Sequence, residues 1–309
     1  MTGTNLDRVA AAAEVAGRPR RDKSPLNADE PVGFFAENER GPDGTLWSSN
    51  TVLLTNRECP FRCVYCDLWK HTLDVPTPAG AIPRQIDFAL ERLPDARQIK
   101  LYNAGNFFDA KAIPAAHHQR IAERLRPFDR VVIENHPKLC DDRVARFRDR
   151  IDTTLEVAIG VESVDPAVLT RLDKALTLDD LERATGRLQA DGIPVRAFLL
   201  FPPPFVTGDI ISAGVESVRW SLEAGCEVVV LIPLRTDSGT MPQLVQAGEA
   251  RAPTAEELRN VALQAARDLP NGRRLFVDLW DAERLFGEDV KGQAVLRELT
   301  EFNHAAGRI

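Results

Sequence analysis

Cys59, Cys63 and Cys66 fall within eight residues, in the run Cys59-Pro60-Phe61-Arg62-Cys63-Val64-Tyr65-Cys66. This spacing gathers three thiols into one small volume and supplies no fourth ligand. A cubane iron–sulfur cluster is held by cysteine thiolates, so a three-cysteine set leaves one iron that the protein does not cap. An open coordination position is where a metal can do chemistry. Two other readings compete. Half of a zinc site is one, but structural zinc takes four nitrogen or sulfur ligands. The fourth would come from His71 or from the distant Cys140 or Cys226. A disulfide framework is the other. Five cysteines are an odd number, and the first residues do not read as a secretory signal.

The elements that must position these thiols follow an alternation. Short β-branched runs at Thr51–Thr55, Ile99–Asn103, Val131–Asn135, Leu155–Val161, Val195–Leu200 and Val228–Pro233 predict strands. Helical periodicity near 81–93, 114–126, 140–149, 177–190 and 208–224 predicts helices between and after them. Gly192 and Gly225 stand where left-handed helix caps belong. Six βα units in a row predict an α/β fold, a partial parallel (β/α)6 barrel, over residues 46–235. Residues 1–45, with a helical stretch near 5–16, read as an N-terminal arm. Residues 236–309, with a helix near 254–268, a strand-like Arg274–Leu279 and a helical 290–303, read as a C-terminal α/β extension closing the barrel. An open doubly wound sheet is the alternative, but no G-x-G-x-x-G follows the first strand.

In parallel βα architectures the active site lies at the carboxyl ends of the strands. The cysteines begin just after the first strand, and other polar residues collect at equivalent ends. These are Asn103-Ala104-Gly105-Asn106, Glu134-Asn135-His136, Gly160-Val161-Glu162-Ser163, and Pro233, Arg235 and Thr236. Arg196 lies within the fifth strand. Each also has a plainer role. Tyr65 fits a core, Asn103 and Gly105 a turn, Glu162 a cap, and Glu134 and His136 strand-end hydrogen bonds. Cys140 and Cys226 fit as small buried residues, and they leave no ligands for a second cluster.

The chain has 309 residues, 44% hydrophobic and 28% charged, as globular domains do. No apolar run approaches the roughly 20 residues of a membrane span. Free cysteines without an export signal predict a cytoplasmic protein. A net charge of −7 supplies no global attraction for nucleic acid, so an RNA would need a local basic patch. The densest arginine groups are 18, 20 and 21 with Lys23, and a set from 120 to 150 interleaved with acids that reads as a solvated helix face.

The cysteine motif, with its aromatic before the last thiol, resembles the signature of the radical S-adenosylmethionine (radical SAM) superfamily, over roughly residues 50–235. The resemblance implies that Cys59, Cys63 and Cys66 ligate a 4Fe–4S cluster whose open iron takes the amino and carboxylate groups of SAM. It implies cofactor-binding roles for Tyr65 beside the adenine, for Asn103 and Gly105 at the amino group, for Glu162 near the ribose or amino group, and for Arg196 at the carboxylate. The family's second-strand Gly-Gly-Glu reads Asn103-Ala104-Gly105-Asn106 here, without its acid. Segments Lys100–Asp109, Val157–Ser163 and Leu199–Phe205 are similar to one branch. That branch includes the radical SAM domain of the elongator catalytic subunit and the archaeosine synthase radical SAM subunit. The resemblance implies reductive cleavage of SAM and hydrogen abstraction, with flavodoxin or ferredoxin as electron donor. Two substrates stay open: a modified tRNA base, with tRNA or a tRNA-binding partner subunit engaged, or a small metabolite. A non-catalytic zinc-binding module is the alternative outside the family, and no membrane association is expected.

Overall fold

A computed structural model describes residues 23, 25–287 and 290–308. The helical stretch expected near 5–16 lies outside these residues. Eight strands form one sheet in chain order: β1 (Gly33–Arg40), β2 (Leu46–Leu54), β3 (Gln98–Asn103), β4 (Arg130–Glu134), β5 (Thr154–Glu162), β6 (Val195–Phe201), β7 (Val228–Pro233) and β8 (Arg274–Val277). β1 runs antiparallel to β2, and every later pairing is parallel.

The principal helices are α1 (Ala81–Leu90), α2 (His118–Leu125), α3 (Asp142–Arg148), α4 (Pro166–Arg171), α5 (Leu178–Ala190), α6 (Ile210–Glu223), α7 (Met241–Gln246), α8 (Ala255–Ala266), α9 (Ala282–Phe286) and α10 (Val290–Ala305). Apolar side chains on the outer strand face, such as Val52, Leu101, Ile133, Val157, Ala197 and Val229, merge with the helices' inner faces into one core. The helix boundaries follow local chemistry. Thr177 and Thr254 form capping boxes with Asp180 and Glu257. Gly192 and Gly225 take φ of 67° and 97° after α5 and α6, as the sequence predicts.

The sheet curls. Arg196 on β6 donates to Glu156 on the neighbouring β5 and to Glu39 on β1, five strands away. The Tyr102 ring on β3 meets Phe198 on β6 edge-on at 5.9 Å. Such contacts arise only on the inside of a barrel-like wall. The lower layer of that interior is ionic, where aliphatic layers commonly fill a parallel barrel. Lys100, Arg130, Arg196 and Arg274 interleave with Glu37, Glu39 and Glu156.

The partial parallel barrel is therefore present, with two additions. The stretch at 33–40 forms an antiparallel strand where the sequence reading placed an N-terminal arm, and the strand at 274 joins the sheet in parallel as its eighth member. β1 and β8 are not paired to each other. α10 packs on both, with Asn303 bonded to the Val277 backbone at 2.8 Å and Arg40 donating to the His304 carbonyl at 3.1 Å. No helix among the described residues is long and apolar enough to cross a membrane.

Candidate active site at the carboxyl ends of the strands

The cysteine loop leaves β2 and is pinned from several sides. Leu73 N–H donates to Asn56 O at 2.8 Å and Glu58 N–H to Leu73 O at 3.1 Å, closing the loop's base. Val64 N–H donates to Leu172 O at 3.0 Å. The segment after β7 clasps the far side, with Thr240 Oγ1 donating to Val64 O and Ser238 Oγ to Asp67. Phe61 stacks on His136 with centroids 3.8 Å apart. The loop is thus held in place by backbone hydrogen bonds and packing.

All three thiols are free and partly exposed. Burial pushes Cys59 up, Cys63 up to about 11, partly offset by Lys174, and Cys66 up to about 12. A metal ligand must be the thiolate, so binding here displaces protons. Among the described residues no three His, Cys, Asp or Glu side chains converge on a point suited to one metal ion. Three cysteine thiolates are a donor set that holds an iron–sulfur cluster.

Around the thiols stand groups from three strand ends. Asn106 is committed on both sides, its Nδ2 donating to Cys59 Sγ at 3.4 Å and its Oδ1 accepting from His136 N at 2.8 Å. Asn103 is fully buried, and neither atom of its side-chain amide has a hydrogen-bond partner. Gly105 leaves a hollow: a Cβ there would lie 3.5 Å from Cys59 Cβ and 3.7 Å from Asn103 Nδ2. Orphaned buried polar atoms beside such a hollow are what a binding cradle for an absent group presents.

β3–β4 pairing ends at Leu101↔Ile133. The Glu134 carboxylate then takes over, accepting from the backbone N–H groups of Asn103 and Gly105. Burial pushes Glu134 up to about 8 despite those two donors and the nearby Lys174. Among the described residues, no cation forms an ion pair with it.

On the Cys63 side, β5 carries a bulge between Gly160 and Glu162, and Glu162 adopts φ 65°, unusual for a residue with a side chain. This turns its carboxylate toward Lys174, whose Nζ donates to Glu162 and, at 2.6 Å, to Gly160 O. Tyr65 is hydrogen-bonded to Glu162, and its hydroxyl is pushed well above its ordinary pKa by burial and then by the neighbouring acids. Lys174 lies between Asp173 and Ala175, at φ 52° and 54°. Two such residues flanking one position mark a backbone held against its preference.

The structure therefore brings together Cys59, Cys63, Cys66, Tyr65, Asn103, Gly105 and Glu162. It does not bring Arg196. That residue is the second of β6, at the opposite end of the interior, with its guanidinium engaged by Glu156 and Glu39 and only 2% exposed. Held there by two carboxylates, it is not positioned to meet a third at the cysteine loop. A cation buried at the site is Lys174, which no strand-end pattern reveals because it sits in the loop after α4, twelve residues beyond its partner Glu162.

Comparisons with known proteins agree with this geometry. The family model described as the radical SAM superfamily matches residues 53–211. An uncharacterized protein of Methanocaldococcus jannaschii is 23% identical over 229 residues, covering 69% of this chain and 63% of that protein. The Methanocaldococcus infernus Elp3 structure superposes with a TM-score of 0.53 at 16% identity, over 72% of this chain and 58% of that one. Methylornithine synthase superposes with a TM-score of 0.56 at 12% identity, over 99% of this chain and 78% of that one. At these identities the structural likenesses speak for the fold alone.

Proposed function

The chain belongs to the radical SAM superfamily, and we propose that Cys59, Cys63 and Cys66 ligate its 4Fe–4S cluster, with SAM bound at the iron they leave open. It is a radical SAM enzyme. When bound, the cluster and SAM supply a deoxyadenosyl radical by reductive cleavage of a carbon–sulfur bond, and with it hydrogen abstraction from substrate.

The protein's part is positioning and exclusion. The clasp from Ser238 and Thr240 holds the cysteine loop over the barrel mouth. Asn106 donates to the Cys59 sulfur, a contact that in ligated proteins tunes the cluster's potential. Tyr65, tied to Glu162, forms a wall of the cofactor site, and Asn103 and Gly105 form its floor. The observation that carries this reading is the convergence of three unpaired thiols with the orphaned Asn103 amide at the strands' carboxyl ends.

For substrate we favour a modified base in tRNA. A local basic patch, which an acidic chain needs for RNA, supports it. Arg57, Arg62 and Lys111 line a cavity of about 630 Å³ beside Cys59, interleaved with Glu58, Asp74 and Asp109, and none of the three cations forms an ion pair among the described residues. Of the 120–150 group, Arg124 and Arg148 are paired with Asp87 and Asp149, and Arg143, which lines the same cavity, is paired with Asp141. A partner subunit gripping the RNA and a flavodoxin or ferredoxin supplying the electron complete the proposal. The test is tRNA affinity of the reconstituted protein across a salt series. A Kd that weakens steeply with salt and weakens further in an Arg62→Ala, Lys111→Ala variant is expected. No binding at low salt, with SAM cleavage intact, would return the choice to a small metabolite.

A further inference from the structure

SAM is an α-amino acid at one end, so any site that holds it must meet a positive or hydrogen-bond-donating amine and a negative carboxylate a few bonds apart. The residue position that the superfamily's acid would occupy is Asn106, and both ends of that side chain are already used, on Cys59 and on His136 N. The carboxylates near the cysteines can be taken in turn. Glu162 is closed by Lys174, and Glu58, beside Cys59, by Lys23 at 2.6 Å. Asp67 accepts from Ser238 on the clasp. Asp109 turns to the Lys111 backbone N–H, at the wall of the outer cavity. Glu134 is different. It points inward from the end of β4, beside Gly105 and the Asn103 amide, and its neighbours are two backbone N–H groups without any paired cation among the described residues.

Two N–H donors do not exhaust a carboxylate, which offers about four lone-pair directions. Lys174 acts on Glu134 only at a distance, being bonded to Glu162 and Gly160 O, and a ligand's amine would supply the direct partner the carboxylate lacks. Across the thiols stands the opposite pole. Lys174 has three N–H bonds and gives two, to Glu162 and to Gly160 O. Glu134 lies on the Cys59 side and Lys174 on the Cys63 side, as their electrostatic influence on those thiols records.

We propose that Glu134 accepts a hydrogen bond from the amino group of SAM and that Lys174 donates its remaining N–H to the SAM carboxylate. The acid missing from the loop after β3 is thereby supplied from β4, and the role first expected of Arg196 falls to Lys174. This rests on the reading that SAM binds at the cysteine loop, and its test is chosen to fail separately.

The experiment measures equilibrium binding to the anaerobically reconstituted protein, with iron content as a control, for three ligands. These are SAM, its 2-oxo analogue with a ketone in place of the amine, and decarboxylated SAM. Glu134→Gln is expected to weaken SAM and decarboxylated SAM about tenfold or more, as loss of a charge-assisted hydrogen bond does, and to leave the 2-oxo analogue unchanged. Lys174→Met is expected to weaken SAM and the 2-oxo analogue and to spare decarboxylated SAM. Equal losses for all three ligands in either variant would make these residues structural supports and overturn the proposal. So would an unchanged SAM affinity in Glu134→Gln. If SAM fails to bind the iron-loaded wild type, the cofactor site itself is wrongly placed.

Discussion

At Gly160 a methyl group would collide with Lys174 Nζ and with Glu162 Oε1. Both are the far ends of flexible side chains, so an alanine there would move them at little cost to the fold. The Lys174–Glu162 pair is what would be lost. We expect Gly160→Ala to retain the iron content of the wild type and to bind SAM about 1.5–3 kcal/mol more weakly. Isothermal titration of the reconstituted protein checks this, and wild-type affinity in the variant would detach the pair from SAM binding. At this scale the sequence was informative where chemistry is written in residue type and spacing. The three cysteines, Asn103, Gly105 and Glu162 could be named from their positions at strand ends, and Tyr65 from its place in the cysteine motif. Lys174 could not, because its place depends on the bulge at Gly160 and on two left-handed residues in the following loop. Arg196 misled for a related reason. A guanidinium fork suits the carboxylate that the resemblance led one to expect, and the curled sheet supplies carboxylates from β1 and β5 instead.

Among the elements, the sheet's order depends on how helices seat against it. α6 and α8 pack with Gly214 at their crossing, where a Cβ would approach Val261 Cγ2 to 2.6 Å and the Phe201 ring to 3.0 Å. These are rigid core groups that cannot swing away. Gly214→Ala is expected to cost about 1–3 kcal/mol of stability by overpacking, measured by urea denaturation. A midpoint equal to wild type would show that the crossing is looser than its geometry implies. The parallel strands and their helices were legible because β-branched runs and helical periods alternate. β1 was not, since Gly33–Arg40 carries four charged or amide residues in its second half. Those residues face the interior's ionic layer or the sheet edge, so the polarity that hid a strand is a consequence of the barrel's unusual lining. Short α4 and α7 escaped as well, each starting at or beside a proline after a polar loop.

For the molecule as a whole, the ionic layer sets a response to acid. Burial alone would raise Glu156, yet the guanidinium groups of Arg196, Arg130 and Arg274 together bring it down to about 2, from an ordinary 4.5. Glu39 is likewise held well below its ordinary value, by Arg196 and Lys100 against burial. A carboxylate whose pKa is lower folded than unfolded contributes stability in full above the unfolded value. That contribution is lost as pH falls from 4.5 through about 2. Stability should therefore drop steeply across that window. Glu156→Gln, which leaves three buried guanidinium groups short of a partner, should be less stable at pH 6 by about 3–5 kcal/mol and should converge with wild type as the pH falls. Parallel denaturation curves at all pH values would refute this account of the layer. The layer also separates the two ends of the barrel: charge pairs close one end, and the other keeps an unpaired acid, an orphaned amide and three thiols.

The most direct measurement is electron paramagnetic resonance of the anaerobically reconstituted, chemically reduced protein, before and after SAM is added. Four irons per chain and a cluster signal that changes on adding SAM, both lost in Cys63→Ala, are the predicted result. A single bound zinc, or a cluster signal that SAM leaves untouched, would contradict the account.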